Sequence, residues 1–124
     1  MKVAAKPRIL VVEDDLLVSE VIIAALDDDF ETALVETSAA AAERLSGGNF
    51  DLMLLDCTLP DGIGEELLPG ADALGVPVLL MSGDPSRVER LAAQARPFVL
   101  KPFTLTELVD AVEEMLSARS RYRG

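Results

Sequence analysis

The sequence contains no histidine and no tryptophan, and it has only one cysteine and one tyrosine. Without histidine the chain cannot supply an imidazole for acid–base chemistry or metal binding, so a partner must provide any imidazole that its chemistry needs. The lone Cys57 cannot form a disulfide within the chain, which favours a reducing, cytoplasmic location. We interpret Cys57 as a small, inert, half-buried thiol.

Long apolar runs and positive charges are also scarce. No segment approaches the ~18 consecutive apolar residues of a membrane span, and residues 1–8 lack the apolar centre of a signal peptide. Lys and Arg total 11 against 22 Asp and Glu, which gives a net charge of −11. Such an acidic surface repels phosphate backbones, so we expect no direct binding to nucleic acid.

The length of the chain suits a single domain over residues 1–124, with a core at about 7–118. Three of the few cations, Arg119, Arg121 and Arg123, lie at the C-terminus, where residues 119–124 are predicted to form a basic tail. No linker or second domain is visible in the sequence.

What the sequence does contain is a series of short apolar segments. "ILVV" at 9–12, "LMLL" at 52–55, "VLLM" at 78–81 and "FVL" at 98–100 show no alternation with polar residues, so each predicts a strand covered on both faces. The mixed segment at 30–37 predicts an edge strand. Helical patterns lie between these segments, and this alternation predicts a parallel sheet with helices on both faces.

The helical patterns have recognisable starts and stops. The second helix is predicted to be capped by Ser38 and to end at Gly47–Gly48, and a short third helix near Gly64–Leu68 is predicted to be stopped by Pro69–Gly70. A fourth helix is predicted from Pro85. A capping box at 104–107, "TLTE", predicts the start of the last helix. The first helix is predicted to bury one stripe: Leu17, Val18, Val21, Ile22, Ala25 and Leu26.

Polar residues directly follow the predicted buried strands, at the edge of the sheet where ligands bind in folds of this kind. They are Glu13, Asp14 and Asp15 after the first strand, Asp56 after the third, Ser82 after the fourth and Lys101 after the fifth. Clustered carboxylates repel one another, and a divalent cation removes that cost. Oxygen ligands without sulfur or imidazole favour Mg²⁺ or Mn²⁺. With the lysine and the hydroxyl, the set suits a phosphoryl group that an aspartate carboxylate could accept.

Four motifs, in this order, carry a resemblance to a known family: "ILVVEDD" at 9–15, "LLDCTLPDG" at 54–62, "LLMSGD" at 79–84 and "FVLKPF" at 98–103. The chain resembles the stand-alone receiver (CheY-like) domains of the two-component response regulators. The resemblance implies an α/β fold, a three-layer (βα)5 flavodoxin-like domain with a parallel five-stranded sheet in the order 2-1-3-4-5. It also implies a phosphoacceptor switch in a phosphorelay, and no enzyme beyond assisting its own phosphorylation and dephosphorylation.

The resemblance assigns the metal and phosphoryl residues by position. Glu13 and Asp14 match the acidic pair that binds Mg²⁺ (or Mn²⁺). Asp56 matches the phosphoacceptor, which also binds the metal, and Thr58 matches the residue whose backbone carbonyl completes the metal's ligands. Asp15, third in its run, is interpreted instead as a residue of the first helical turn.

The remaining matches concern the switch. Ser82 matches the hydroxyl that bonds to the phosphoryl oxygen, Lys101 the lysine that pairs with the phosphoryl group, and Phe98 the aromatic residue that rotates inward when Ser82 shifts. The Lys101–Pro102 bond matches one that is cis in the family. The implied partners are a histidine kinase or a histidine phosphotransfer protein, and a downstream protein effector that binds the face of the fourth helix, fifth strand and fifth helix.

The sequence departs from the family pattern in places. The stretch from Asp56 to Ser82 is short, which predicts a reduced or irregular third helix. The "DDY" motif of the subgroup that dimerises through its last strand and helices is absent, so a monomer or weak dimer is expected.

Two other functions remain open at this stage. One is a receiver-fold interaction module that is not phosphorylated, against which the intact acceptor, acidic pair and lysine argue. The other is a phosphatase of the haloacid-dehalogenase kind. That group places a second aspartate two residues after the nucleophile, where this chain has Thr58.

Overall fold

The computed structural model describes residues 6–59, 62–84, 86, 89, 90, 93 and 97–123, and for 58, 62–65 and 118–123 it describes the backbone only. Among the described residues, no helix combines the length and apolar character that crossing a membrane would require.

A five-stranded parallel sheet forms the centre of the molecule. Its strands are β1 (Arg8–Val12), β2 (Glu31–Val35), β3 (Leu52–Asp56), β4 (Val78–Ser82) and β5 (Phe98–Leu100). They lie in the order β2-β1-β3-β4-β5, which confirms the predicted order 2-1-3-4-5. Every residue of β3 and β4 is buried, as continuous apolar segments in the middle of a parallel sheet should be. The mixed segment forms the edge strand β2, as predicted.

Helices cover both faces of the sheet, giving three layers. They are α1 (Leu16–Leu26), α2 (Ser38–Gly47), a 3₁₀ helix (Gly64–Leu67), α3 (Leu68–Ala73) and α4 (Leu105–Arg123). One apolar core lies between the sheet and α2 and α3, and the other between the sheet and α1 and α4. α4 is the predicted fifth helix, whereas the predicted fourth helix, from Pro85, falls mostly outside the described residues.

The predicted stripe of α1 is partly wrong. Ile22 and Leu26 are fully buried as expected, but Leu17 and Val21 are 74% and 45% exposed. Ser19 is buried instead, with its hydroxyl donating to the Leu16 carbonyl at 3.0 Å. Because α1 is apolar around most of its circumference, periodicity alone did not fix which side packs on the sheet.

Two helix boundaries also differ from expectation. Thr37, not Ser38, caps α2, because its hydroxyl accepts a hydrogen bond from the Ala40 N–H at 3.1 Å. Pro69 lies in the first turn of α3 and does not stop a helix, since a proline costs no hydrogen bond in a first turn. The prediction of a reduced, irregular third helix is confirmed: four residues of 3₁₀ helix precede only six residues of α3.

The capping box of α4 is present as predicted. The Glu107 N–H donates to the Thr104 hydroxyl at 3.1 Å, and the Thr104 N–H donates to a Glu107 carboxylate oxygen at 3.2 Å. This reciprocal pair fixes the start of α4 shortly after β5.

The amino-terminal edge of the sheet is held together by Arg8. Its backbone N–H donates to Asp51 Oδ2 at 2.8 Å, and its Nη1 donates to the Asn49 carbonyl at 3.3 Å. Its guanidinium lies 4.8 Å from the centre of the buried Phe50 ring. Gly48 packs so closely on this ring that an added Cβ would lie 2.7 Å from Phe50 Cε2. These contacts fasten the segment before β3 to β1.

Candidate functional site

The carboxyl edge of the sheet gathers the polar side chains that the sequence predicted there. Glu13 and Asp14 follow β1, Asp56 ends β3, Ser82 ends β4 and Lys101 follows β5. Because all of these strands are parallel, their carboxyl ends meet at one edge. The Glu13 N–H donates to the Val35 carbonyl at 3.1 Å, so Glu13 starts its loop from a fixed position beside β2.

Three carboxylates lie close enough to share a cation. One oxygen from each of Glu13, Asp14 and Asp56 falls within 4.8 Å of the other two. Glu13 is 1% exposed and Asp56 is 6% exposed, whereas Asp14 faces solvent. A donor set made only of oxygens, partly buried and open on one side, fits a hard divalent cation. These residues could therefore hold a metal ion.

Lys101 connects two of these carboxylates. Its Nζ donates to Glu13 Oε2 at 2.7 Å and to Asp56 Oδ2 at 3.3 Å, and its side chain is 23% exposed. Its backbone N–H donates to the Ser82 carbonyl at 2.7 Å, which continues the β4–β5 pairing to the site. The single ammonium group thus offsets part of the charge of the acidic cluster.

Burial and pairing act on both partners of the Glu13–Lys101 ion pair. Burial raises the pKa of Glu13, and the nearby Asp56 adds to this, while the Lys101 hydrogen bond opposes it. Burial acts to lower the pKa of Lys101, but the hydrogen bond to Glu13 and the charge of Asp56 outweigh burial and raise that pKa above its ordinary value. The pairing favours the charged form of both groups; for Glu13 burial and the nearby Asp56 outweigh it, whereas for Lys101 the two carboxylates outweigh burial.

Ser82 and Phe98 lie on neighbouring strands. Ser82 is buried, and its Oγ accepts the Asp84 N–H at 3.1 Å. Phe98 is half-buried and packs against the core on the α2 side of the sheet, where it pairs in register with Leu80, two residues before Ser82.

The other predicted residues are neighbours of site residues along the chain. The backbone of Thr58 follows Asp56 into a two-stranded antiparallel ribbon, Thr58–Leu59 with Gly62–Ile63. The Lys101–Pro102 peptide bond is cis. Cys57 is fully buried rather than half-buried, and its N–H donates to the Met81 carbonyl at 3.0 Å. Asp15 caps α1 by accepting the Leu17 and Val18 N–H groups, and so lies one residue before the first turn to which it was assigned.

Sequence reasoning missed an apolar surface beside Lys101. A groove of about 420 Å³ is lined by Leu17, Val18, Val21, Lys101, Pro102 and Phe103. The residues of α1 in this groove were predicted to face the core. The helical period carries no signal that separates them from the buried Ile22 and Leu26, because both pairs have the same four-residue spacing.

Comparison with known families agrees with this geometry. The sequence profile of the response regulator receiver domain matches residues 9–113. The chain belongs to the response regulator receiver domain family. Receiver domains are signalling domains that interact with histidine kinases and effectors, and this one is accordingly a phosphoacceptor switch of a two-component system.

Individual relatives show the same relationship. The swarming motility regulation protein RssB of Serratia marcescens is 40% identical over 112 residues, which cover 86% of this chain and 51% of RssB. The transcriptional regulatory protein CutR of Streptomyces coelicolor is 34% identical over 114 residues, covering 87% of this chain and 52% of CutR. The receiver domain thus spans about half the length of these curated bacterial relatives.

A solved structure supports the fold. The CheY-like response regulator receiver domain protein from Methanospirillum hungatei superposes with a TM-score of 0.85 at 23% identity, covering 95% of this chain and 99% of that one. The likeness establishes the shared α/β architecture and strand order.

Proposed function

We propose that Asp56 is the phosphoacceptor of this receiver domain. It ends β3 at the carboxyl edge, it is only 6% exposed, and its Oδ2 lies 3.3 Å from Lys101 Nζ. The observation that carries the proposal is the meeting of Asp56, one lysine and two further carboxylates from three separate strand ends. A helix-capping aspartate needs none of these neighbours.

Glu13, Asp14 and Asp56, with the backbone carbonyl of Thr58, would hold Mg²⁺ (or Mn²⁺). The proposal is supported by the oxygen-only donor set and by the mutual distances of the carboxylates. When bound, the cation supplies positive charge that neutralises oxygens of the phosphoryl group.

The reaction is a phosphoryl transfer from a partner. An Asp56 carboxylate oxygen attacks the phosphorus of a phosphohistidine, a phosphorus–oxygen bond forms and the phosphorus–nitrogen bond breaks. Because the chain contains no histidine, the phosphohistidine belongs to a histidine kinase or a histidine phosphotransfer protein. Lys101 pairs with an oxygen of the transferred group, and the Ser82 hydroxyl donates a hydrogen bond to another. The domain thereby assists its own phosphorylation and the later hydrolysis.

The groove beside Lys101 offers the phosphodonor a place to dock. Leu17 and Val21 are exposed and lie in the same groove as Phe103 and Lys101. Exposed apolar side chains this close to the acceptor give a partner helix apolar surface to bury while its phosphohistidine reaches Asp56.

The switch acts through Ser82 and Phe98. Turning the Ser82 hydroxyl toward the phosphoryl group gives up its bond with the Asp84 N–H. The half-buried Phe98 then moves inward, and the face of the predicted fourth helix, β5 and α4 changes. Leu100 and Leu105 are exposed on this part of the molecule and offer a downstream protein effector apolar surface to bind. The receiver itself is a monomer or a weak dimer.

Intact-mass measurement tests the proposed function. The protein is incubated with Mg²⁺ and acetyl phosphate, and we expect one added phosphoryl group in the natural chain and none in Asp56→Asn. Asp110→Asn, an identical change at an exposed position of α4, serves as the control and should accept the group normally. An adduct that survives in Asp56→Asn, or no adduct with any donor or metal, would contradict the assignment.

A further inference from the structure

Asp15 lies where the acidic run meets the first turn of α1, and both its side chain and its backbone make hydrogen bonds. Its Oδ1 accepts the Leu17 N–H at 3.0 Å and the Val18 N–H at 3.3 Å. Its own backbone N–H donates to Glu13 Oε1 at 3.1 Å. One residue thus connects the start of the helix with a carboxylate of the candidate metal site.

The packing of α1 gives Asp15 a fixed position. Ile22 and Leu26 are fully buried in the core between the helix and the sheet, so the helix cannot shift without opening that core. The backbone carbonyl of Asp15 accepts the Ser19 N–H at 2.9 Å, which ties the residue to the first turn of the helix as well. An N-cap residue that is held by its side chain and by its carbonyl keeps its own N–H in one orientation.

The side chain of Glu13 depends on such a fixed donor because it is almost completely buried. Only 1% of Glu13 is exposed, and its Oε2 accepts a hydrogen bond from Lys101. The Asp15 N–H orients the other oxygen, Oε1. The last torsion of a glutamate side chain has a broad energy minimum, so loss of this bond would let the carboxylate turn.

Asp14 lies between these two residues, and its backbone is held from both sides. On one side the Glu13 N–H donates to the Val35 carbonyl at 3.1 Å, and on the other side Asp15 is held by α1. Glu13 and Asp14 supply two of the three carboxylates whose oxygens lie within 4.8 Å of one another. The cap of α1 therefore bears on the placement of two of the three residues that could ligate a cation.

We propose that Asp15 is a positioning residue for the metal site. Its cap of α1 fixes its backbone N–H, and this N–H holds Glu13, and with it Asp14, in the arrangement that binds the cation. Loss of an outer-shell hydrogen bond of this kind typically lowers metal affinity by about 10–100-fold. The inference rests on the metal site of the proposed function, but its test needs no phosphoryl donor, so its failure is distinguishable from a failure of the mass measurement on Asp56.

Calorimetric titration with Mg²⁺ alone tests the proposal with two variants of equal charge. Asp15→Asn keeps a side-chain oxygen that caps a helix about as well as aspartate does, and it should bind Mg²⁺ within about threefold of the natural affinity. Asp15→Ala removes that oxygen, and it should bind Mg²⁺ on the order of tenfold more weakly than Asp15→Asn. Because both variants lack the same negative charge, the difference between them measures the contribution of the cap.

Thr37→Ala is the matched control for loss of a helix cap. The Thr37 hydroxyl caps α2 by accepting the Ala40 N–H at 3.1 Å, and α2 lies on the opposite face of the sheet from α1. This change should lower the urea midpoint about as much as Asp15→Ala does, but should leave the Mg²⁺ affinity unaltered. If Asp15→Ala does not fold, Asp15→Gly takes its place, because glycine also lacks the oxygen but is well tolerated at an N-cap.

Three results would overturn the positioning role. Equal Mg²⁺ affinities of Asp15→Asn and Asp15→Ala would mean that the cap does not affect the site, and that any shared loss comes from the missing charge. An equal loss of affinity in Thr37→Ala would mean that Mg²⁺ binding follows overall stability. If the natural chain binds no Mg²⁺, the inference fails together with the metal site on which it rests.

Discussion

The two ends of the central sheet use charged residues in opposite ways. At the amino-terminal edge, the Arg8 guanidinium donates to the Asn49 carbonyl and lies over the Phe50 ring, while the Arg8 backbone N–H donates to Asp51. These contacts hold two segments together. At the carboxyl edge, Lys101 is shared between Glu13 and Asp56 at unequal distances. Arg8 thus stabilises the fold, whereas Lys101 lies among carboxylates of the candidate site.

Removal of the Lys101 ammonium, at the carboxyl edge, should have the largest effect of the changes considered, and the quantity affected is the rate of phosphorylation. Lys101→Met is expected to slow phosphorylation by acetyl phosphate roughly a hundredfold, since it removes one preorganised charge from the transferred phosphoryl group. The rate of adduct formation measures this, at a Mg²⁺ concentration that saturates both proteins. Lys6 is an exposed cation before β1, so Lys6→Met should become phosphorylated at the natural rate. Equal slowing in both variants would contradict a specific role of Lys101 in phosphorylation.

A change at the amino-terminal edge should affect stability and spare phosphorylation. In Gly48→Ala the new Cβ would lie 2.7 Å from Phe50 Cε2 and 3.0 Å from the Arg44 carbonyl, so the free energy of unfolding should fall by about 1–3 kcal/mol. Urea unfolding measures the loss. The neighbouring Gly47→Ala is the matched control, because nothing lies within 4 Å of its added Cβ. Equal stability of the two variants would show that the packing on Phe50 contributes little.

The smallest expected effect is a pH dependence that belongs to Lys101. Its pKa is raised in the fold by the bond to Glu13 and the charge of Asp56 against the opposing effect of burial. A raised pKa means that the ammonium contributes stability below its ordinary value of 10.5, and that this stability is lost as pH rises through the raised pKa. Urea midpoints without Mg²⁺ should therefore decline more steeply above about pH 10.5 in the natural chain than in Lys101→Met. Parallel declines would show that the pair adds nothing to stability.

The sheet and most of the site could be predicted because they depend on local and strongly constrained patterns. A continuous apolar segment such as residues 52–55 has few alternatives to a buried strand, and the parallel arrangement then brings Asp56, Ser82 and Lys101 to one edge. The strand order came from the resemblance to receiver domains. The capping box at Thr104 was predictable since both of its partners lie within one helical turn.

The predictions that were wrong concern positions where the local sequence allows two structures of similar free energy. Thr37 and Ser38 are adjacent residues that can both cap, and the structure uses the first. Pro69 can end one helix or begin the next, and here it lies in the first turn of α3. The face of α1 is set by packing against the sheet and α4, so the exposure of Leu17 and Val21 was not contained in the helical period. The hydrogen bonds of Lys101 to both Glu13 and Asp56 could likewise not be predicted, because these residues are far apart in the sequence and meet only in the fold.

The most direct test of the central claim is to locate the phosphoryl group chemically. After phosphorylation, borohydride reduces an aspartyl phosphate to homoserine, and peptide mass spectrometry then identifies the reduced residue. We expect homoserine at position 56 and at no other carboxylate of the cluster. Reduction at Asp14 instead, or an unreduced chain despite a stable phosphoryl adduct, would contradict the assignment of Asp56 as the acceptor.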